Sequence, residues 1–481
     1  MLKQTVIKSA GWAGLASIVI YGINAITKIL LARFLFPEDF GLFAMAFFFI
    51  SFLTMFIGFG IGDFLVVSKD KFEKNASVAF LLTTVICVTL FLLSFFSAPL
   101  ISSFFQNKEL TLIIRVLSVM FVFDSVVVIF RAFLMRELHF FRKSMIEITS
   151  AIVYGGVVIA LAYLGHGVWS IVFASVIQHF ILLLLFVLLS PWKPLFSFTT
   201  ITLKDAISIL KIGTQFFSGT FLAWTVTTID NVIVGKRLGE AQLGYYSFGY
   251  NIANMPVTGF THIFTGIFQS VYAKLSQEKQ RLQKAYILSL RWTLIFVLPA
   301  AGGLFVLSDF FIQVVIGEKW LPMLPILLIL AIYSPMRCLS TLQAHLLEAL
   351  GFPKKEAFFL LIEVVILLLL IYPLITFYGI IGAALTAFVA RTSTLFLRTK
   401  FTYQFTAVSW REIFCACKSQ LFAMLIMIVT IYTAKTLLFQ AYTLLHFLIL
   451  IGLGVLVYGL VVCSTDKQLL LEAKEILRTY I

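Results

Sequence analysis

ARFLFPEDFGLFAMAF (residues 32–47) and GKRLGEAQLGYYSFGY (residues 235–250) are two versions of one pattern. In each, an apolar run closes on a basic residue, Arg33 or Lys236, followed by a leucine, Leu35 or Leu238. A short polar turn then leads into a new apolar run that carries a glycine, Gly41 or Gly244, near its start. Each stretch reads as the end of one apolar helix, a turn at the edge of an apolar layer, and the beginning of the next helix.

The same grammar extends outward from these stretches. Apolar runs bounded by charge, Pro or Gly lie near 9–33, 40–66, 76–104, 110–134, 144–164, 167–190, 206–235, 241–272, 285–307, 322–348, 356–377, 379–400, 413–435 and 441–463. Each can cross a ~30 Å hydrocarbon layer as a helix of about 20 residues. The runs are continuous rather than alternating, which excludes a membrane barrel, the other fold that satisfies its backbone in lipid. Charged residues make up 12% of the chain and hydrophobic ones 61%, where ordinary soluble domains carry about 25% charge to solvate their surface. The expected fold is all-α integral membrane, with about fourteen transmembrane helices. The first run continues without a small-residue cleavage site and reads as a span rather than a cleaved signal. Cys87, Cys338, Cys415, Cys417 and Cys463 show no metal-type spacing, so neither metal nor cofactor is expected.

The formal net charge of +14 follows topology. The N-terminus, the stretches 67–75, 135–143, 191–211, 274–291, 349–355 and 391–418, and the tail hold about 26 of the 36 Lys and Arg residues. The intervening turns hold a handful, the asymmetry that marks cytoplasmic loops. Both termini are therefore expected in the cytoplasm, in a multi-pass protein of the inner or plasma membrane, with no nucleic-acid partner. The tail, 466–481, gathers Leu469, Ala473, Ile476, Leu477 and Tyr480 on one helical face. It reads equally as an amphipathic helix on the cytoplasmic surface and as a solvated tail.

Two further matches preserve the order of the first. SFFQNKELTLIIRVL (103–117) aligns with VVIGEKWLPMLPILL (314–328), and LMRELHFFRK (134–143) with LLEALGFPKK (346–355), all at offsets near 203–212. Spans one to six thus correspond to spans seven to twelve. Six is even, so both halves insert the same way round, as in transporters built from parallel repeats around a midplane site. The expected division is an N-terminal lobe over 1–190, a cytoplasmic linker over 191–205, a C-terminal lobe over 206–400, a terminal helix pair over 401–465 and the tail over 466–481.

LARFLFPEDFGLFAMAF (31–47), GFGIGDFLV (58–66), AFLMRELHF (132–140), YLGHGVWSIV (163–172), IDNVIVGKRLG (229–239), LGYYSFGYNIANMP (243–256), IGEKW (316–320) and EALGFPKK (348–355) together resemble the Wzx-like oligosaccharide flippases. These belong to the multidrug/oligosaccharidyl-lipid/polysaccharide exporter superfamily. The resemblance covers roughly residues 5–400. It implies two pseudo-symmetric six-helix lobes that open alternately, and an oligosaccharide on a polyprenyl diphosphate turned from the cytoplasmic to the outer leaflet. It also implies a monomer working beside a polymerase and chain-length proteins of a surface polysaccharide pathway.

A diphosphate headgroup needs a polar path, and ionisable side chains inside spans are costly unless they face a cavity or one another. Asn24 and Lys28 lie in span one, Asp124 in span four, Asp230 and Asn231 in span seven, and Asn251, Asn254 and His262 in span eight. Arg337 and His345 lie in span ten, Glu363 in span eleven and Arg391 in span twelve. Lys28, Asn24, Asp230, Asn231, Asn251, Asn254, Arg337 and Arg391 are the expected cavity and substrate-binding residues. Asp124, Asp230 and Glu363 are the expected ion-coupling or structural ion-pair residues, with H+ and Na+ both open as the coupling ion. The repeat sets Lys28 against Asn231 and Thr27 against Asp230. Lys28 reads equally as a diphosphate anchor and as a snorkelling lysine near the outer end of its span. Asp124 and Arg337, at similar depth, read by default as a structural pair. Arg131 and Glu147 read as interfacial charges, and His166 and His179 as polar packing contacts. Pro256, Pro299, Pro325 and Pro335 read as kinks.

Two alternatives compete. A cation-coupled exporter of small molecules and drugs shares the superfamily fold. A membrane enzyme of polysaccharide assembly requires a large extramembrane loop or an acidic metal-binding pair, and the sequence shows neither, so the protein is not expected to be an enzyme.

Overall fold

A computed structural model describes residues 2–57, 61–67, 72–192, 203–438 and 442–466. Every described element is helical. The helices are α1 Leu2–Phe34, α2 Pro37–Ile57, α3 Phe72–Phe105, α4 Glu109–Arg136, α5 Phe140–Tyr163 and α6 Val168–Leu189. One continuous run, Leu203–Leu275, breaks at Gly239 (φ 84°, ψ −178°) into α7, 203–238, and α8, 240–275. Next come α9 Lys279–Phe310 and α10 Leu324–Ala349. The run Pro353–Thr406 breaks at Gly379 (φ 58°, ψ −136°) into α11, 353–378, and α12, 380–406. Two more, α13 Trp410–Leu437 and α14 Leu444–Thr465, complete the set. All fourteen expected spans coincide with helices among the described residues, with ends displaced by several residues. Span two is the exception in form: its helix stops at Ile57, and a short separate helix covers Ile61–Val67. Gly58 and Gly60 stand between them, and residues 58–60 lie outside those described.

Local chemistry explains the boundaries. Gly167, which caps the start of α6, has φ 54° and ψ −136°, almost the same backbone as Gly379 before α12. Only glycine adopts that region without strain, so each glycine permits a hairpin too tight to show as a polar loop. Ser409 starts α13 with a capping box: its hydroxyl accepts from the Glu412 N–H, while the Glu412 carboxylate accepts from the Ser409 N–H. The outer surface carries large apolar side chains, among them Phe96, Leu100, Leu369 and Phe377, each at least 69% exposed. Such a surface is stable only against lipid, and the protein is a multi-pass membrane protein.

Contacts divide the chain into two units, Met1–Ser247 and Phe248–Ile481. Within the first unit, α3 packs on α4, α1 on α5, α5 on α6 and α4 on α6. One core of the unit joins Ala79, Ile129, Phe130, Leu134, Ile146, Phe186 and Trp192. Trp192, where the 191–205 linker begins, donates its indole N–H to Glu73 (2.8 Å) and stacks on Phe133. Within the second unit, α9, α10, α11 and α12 form one bundle, and α13 with α14 seats on α9 through Phe310, Met427, Ile431 and Leu450. Tail residues 467–481 lie outside the described residues, and with them the expected amphipathic helix.

The repeat is written in the backbone. Gln106 (φ 60°) occupies the position matched to Gly317 (φ 105°), and each closes a helix with a left-handed residue. Leu138 (φ 56°) and Gly351 (φ 82°) do the same, one residue out of step with the sequence alignment of that pair. Inside the first unit the repeat also makes a reciprocal contact. A Cβ on Gly41 of α2 would fall 1.8 Å from the Glu240 carbonyl oxygen of α8, and a Cβ on Gly244 of α8 would fall 1.8 Å from the Pro37 carbonyl oxygen of α2. Positions 37 and 240, and 41 and 244, are equivalent in the repeat. The contact is therefore a local two-fold in which each glycine receives the other helix's first turn.

Candidate functional site

The intramembrane polar residues fall into three groups according to the helices that carry them. The first lies on α1 and α7, which the repeat makes equivalent. Asp230 is buried (3% exposed); one carboxylate oxygen accepts from the Tyr246 hydroxyl at 2.6 Å and the other from the Asn231 backbone N–H at 2.8 Å. Its repeat mate Thr27 is equally buried and packs on Gly155 of α5. The next residue in each helix, Lys28 or Asn231, is half-buried, as is Asn24. Equivalent positions thus have similar burial: Thr27 and Asp230 are buried, Lys28 and Asn231 partly so. The Asn231 side-chain oxygen is buried and accepts no hydrogen bond. Trp224 holds α7 to α2, stacking on Phe48, lying tilted against Phe52 and donating to the Ser51 hydroxyl at 3.2 Å.

The second group lies at mid-length on α4 and α6. The described ion-pair partner of Asp124 is His179, 3.8 Å away. Nearer the end of α4, Arg131 meets Glu147 at 3.6 Å, and Glu147 also meets Lys143 at 2.9 Å.

The third group belongs to the second unit. Asn251 of α8 is exposed, and Asn254 is buried with its amide donating to the Tyr250 carbonyl at 2.8 Å and its own oxygen unpaired. Arg337 of α10 is half-buried and lies over the Tyr250 ring, 5.7 Å from its centre. Tyr250 and Tyr333 bring their hydroxyls to 3.5 Å, and Tyr333 lies within reach of Arg391. Arg391 pairs with Glu363 at 2.8 Å. His345 pairs with Glu348 at 3.3 Å, and the side chain of His262 lies outside those described.

Two members of this last group escaped sequence reading. Arg398 makes a two-pronged contact with Glu356, at 2.7 and 3.1 Å, and reaches Glu363 at 3.5 Å. Thr394 bridges them, donating to Glu363 at 3.1 Å. All four charges are nearly sealed, with side-chain exposures of 1–9%. A signal was present: Glu356 and Glu363 stand seven apart on α11, Arg391 and Arg398 seven apart on α12. In an antiparallel hairpin those spacings put both pairs on facing stripes. Gly382 makes the approach possible, since a Cβ there would lie 2.0 Å from the Leu374 carbonyl oxygen. The network is neutral, so Arg391 is already compensated by carboxylate.

Among the described residues no cluster of His, Cys, Asp or Glu has metal-binding geometry. What remains is Arg337, a cation at the middle of α10 in the second unit.

Comparisons with known proteins agree with this architecture. Residues 30–325 match the family described as "Polysaccharide biosynthesis protein". The chain is 28% identical over 302 residues to the teichuronic acid biosynthesis protein TuaB of Bacillus subtilis (strain 168), covering 62% of each chain. It is 25% identical over 358 residues to the lipopolysaccharide biosynthesis protein WzxC of Escherichia coli (strain K12), covering 72% of this chain and 70% of that one. A solved structure of the lipid II flippase MurJ in an inward closed conformation shares the fold, with TM-score 0.76 and 20% identity over 95% of this chain and 99% of that one. An inward-facing multidrug MATE transporter of the MOP superfamily also shares it, at TM-score 0.64 and 13% identity over 84% of this chain and 96% of that one. With its fourteen-helix repeat fold and a family match spanning more than half its length, the chain belongs to the polysaccharide biosynthesis protein family.

Proposed function

We propose that the protein is an alternating-access flippase. It moves a polyprenyl-diphosphate-linked oligosaccharide from the cytoplasmic to the outer leaflet for surface polysaccharide synthesis. The observation that carries this reading is Arg337. The buried arginines among the described residues each have a carboxylate: Arg391 has Glu363, Arg398 has Glu356, and Arg291 has Asp466. Arg337 is half-buried at the middle of its helix, with an aromatic face beside it and no carboxylate within ion-pair distance among the described residues. A guanidinium so placed lacks the counter-charge that makes an intramembrane cation affordable. A diphosphate supplies it, and the fork of N–H donors suits phosphate oxygens. Asn251 and the unpaired oxygen of Asn254 offer partners for sugar hydroxyls.

The two six-helix repeats, 1–190 and 206–400, are the moving lobes of this reading, joined by the linker 191–205 and followed by the 401–465 pair. The basic loops support a cytoplasmic position for both termini. A polymerase and chain-length proteins would receive the product on the far side.

Arg337→Gln should lower the rate of transfer of a labelled polyprenyl-diphosphate oligosaccharide across proteoliposome bilayers by about tenfold or more, the loss of at least one charge-assisted hydrogen bond. Thermal unfolding should stay close to wild type, because no internal ion pair is broken. Wild-type transfer by Arg337→Gln would remove the anchor role.

A further inference from the structure

We propose that Asp124 and His179 form a proton-binding site at mid-depth in the first unit, and that transport is coupled to H+ through it. The binding half stands on geometry alone; the coupling half rests on the flippase reading.

The geometry begins with the tautomer. His179 Nδ1 lies 2.9 Å from the carbonyl oxygen of Ser175, one turn earlier on α6. A carbonyl can only accept, so Nδ1 carries a hydrogen and donates it. That leaves Nε2 as the titrating atom, and Nε2 faces Asp124 Oδ2 at 3.8 Å. In the neutral ring Nε2 is a bare lone pair opposed to a carboxylate oxygen. One proton resolves the conflict, on Nε2 or on Oδ2, and either placement leaves the pair with no net charge. Removing it leaves a net negative charge. The pair is therefore a one-proton site in which the acid and the base titrate together.

One other described carboxylate meets a histidine: Glu348 lies 3.3 Å from His345, but it sits in the last turn of α10, is 41% exposed and also accepts from Gln269, whereas Asp124 is at mid-helix. Glu356 and Glu363 are held by Arg398 and Arg391. Asp309 is held by Lys435 at 2.6 Å, and Asp466 by Arg291. Asp230 is held by the Tyr246 phenol and a backbone N–H. Those partners are guanidinium, ammonium, phenol and amide groups. The described ion-pair partner of Asp124 is instead a histidine, the side-chain type whose charge ordinarily changes within the physiological range. Nor is the site sealed. Side-chain exposure is 19% for Asp124 and 22% for His179, against 2% for Glu363. Protein encloses this pair less tightly than it does the Glu363 network.

The remaining titratable groups facing the pair are few. Cys87 approaches from α3 and Tyr154, near Ser175, from α5; Arg131 lies two turns along α4, neutralised by Glu147 of α5. On α2 the acidic residues, Glu38 and Asp39, sit in the first turn. Asp63 of the short helix 61–67 has a side chain outside those described. Among the described groups no fixed cation lies within ion-pair distance of Asp124, so proton loading changes the charge of the pair itself. In a low-dielectric bundle such a change alters the cost of exposing the site to one side or the other.

The test uses the full-length protein labelled with 15N-histidine and reconstituted in lipid. Between about pH 5 and pH 8, the Nε2 resonance of His179, assigned by its loss in His179→Gln, should titrate, and Asp124→Asn should change that titration. An Nε2 signal constant across this range in the wild type would overturn the binding site, whatever the variants do. In proteoliposomes loaded with labelled polyprenyl-diphosphate oligosaccharide, an imposed pH gradient should stimulate transfer several-fold in wild type. Asp124→Asn and His179→Gln should transfer at a gradient-independent rate, while Glu348→Gln, at the exposed carboxylate beside His345, keeps the response. Transfer that is active but gradient-independent in the wild type would overturn the coupling and leave the flippase reading intact. A titrating His179 in a protein that transfers none of this substrate would overturn the flippase reading and leave the proton site intact.

Discussion

Gly244→Leu should drive the start of α8 away from the start of α2 and destabilise the first unit by about 3 kcal/mol or more, above the usual overpacking cost. The magnitude follows from what the new side chain meets. Its Cβ would lie 1.8 Å from the Pro37 carbonyl oxygen, and a backbone atom cannot rotate aside as a side-chain tip can. Gly41→Leu should have the same effect through the Glu240 carbonyl. Because both substitutions open one interface, their double variant should cost less than the sum of the two. Two readouts check this. Thermal unfolding of the purified protein should show a lowered Tm for either variant. A cross-link by a short bis-maleimide between Asn107→Cys and Glu240→Cys, whose native side chains hydrogen-bond at 2.7 Å, should form readily in the parent and poorly with Gly244→Leu. Gly303→Ala, where a Cβ meets nothing within 4 Å, should be silent in both. An undiminished cross-link in Gly244→Leu would show that the helices do not depend on this contact.

Glu363→Ala should destabilise the second unit by about 3–5 kcal/mol, the usual cost of removing one partner from a buried ion pair. Arg391 and Arg398 would then share one carboxylate, Glu356, at 1–9% side-chain exposure. Thr394 would also lose the acceptor it now donates to. The converse experiment separates charge from packing. In Glu363→Leu with Arg391→Met, the uncompensated charge disappears and much of the stability should return, since apolar replacements of buried pairs are often neutral or stabilising. A double variant as unstable as Glu363→Ala would mean that the network is needed for shape rather than for charge balance. Chemical or thermal unfolding in detergent, read as a double-mutant cycle, decides between them.

These predictions divide by how they were reached. Helix number, helix order and the parallel repeat were legible because each depends on residues close together in the chain. A run of about 20 apolar residues is a span wherever it packs, and Gly41 and Gly244 announce one another through the offset. The tight hairpins at Gly167 and Gly379 were legible as breaks, though not as a shared left-handed geometry. Lys28, Asp124, Asp230, Glu363 and Arg391 stood out because charge is rare inside spans. Their partners did not. Asp124 finds His179, read from the sequence as a polar packing contact, and Arg391 finds Glu363, with Glu356 and Arg398 beside them.

The chain alone thus determined that this is a fourteen-span helical membrane protein of repeated halves, and which side chains have no business in lipid. Only the tertiary structure decided which of those side chains neutralise one another and which keep a charge in search of a partner. The reason is geometric. Hydropathy is additive along a helix and survives any packing, whereas an ion pair depends on helix neighbours and on rotations of a fraction of a turn. Two residues as alike in sequence as Arg337 and Arg391 end in opposite states because one faces a tyrosine ring and the other a carboxylate.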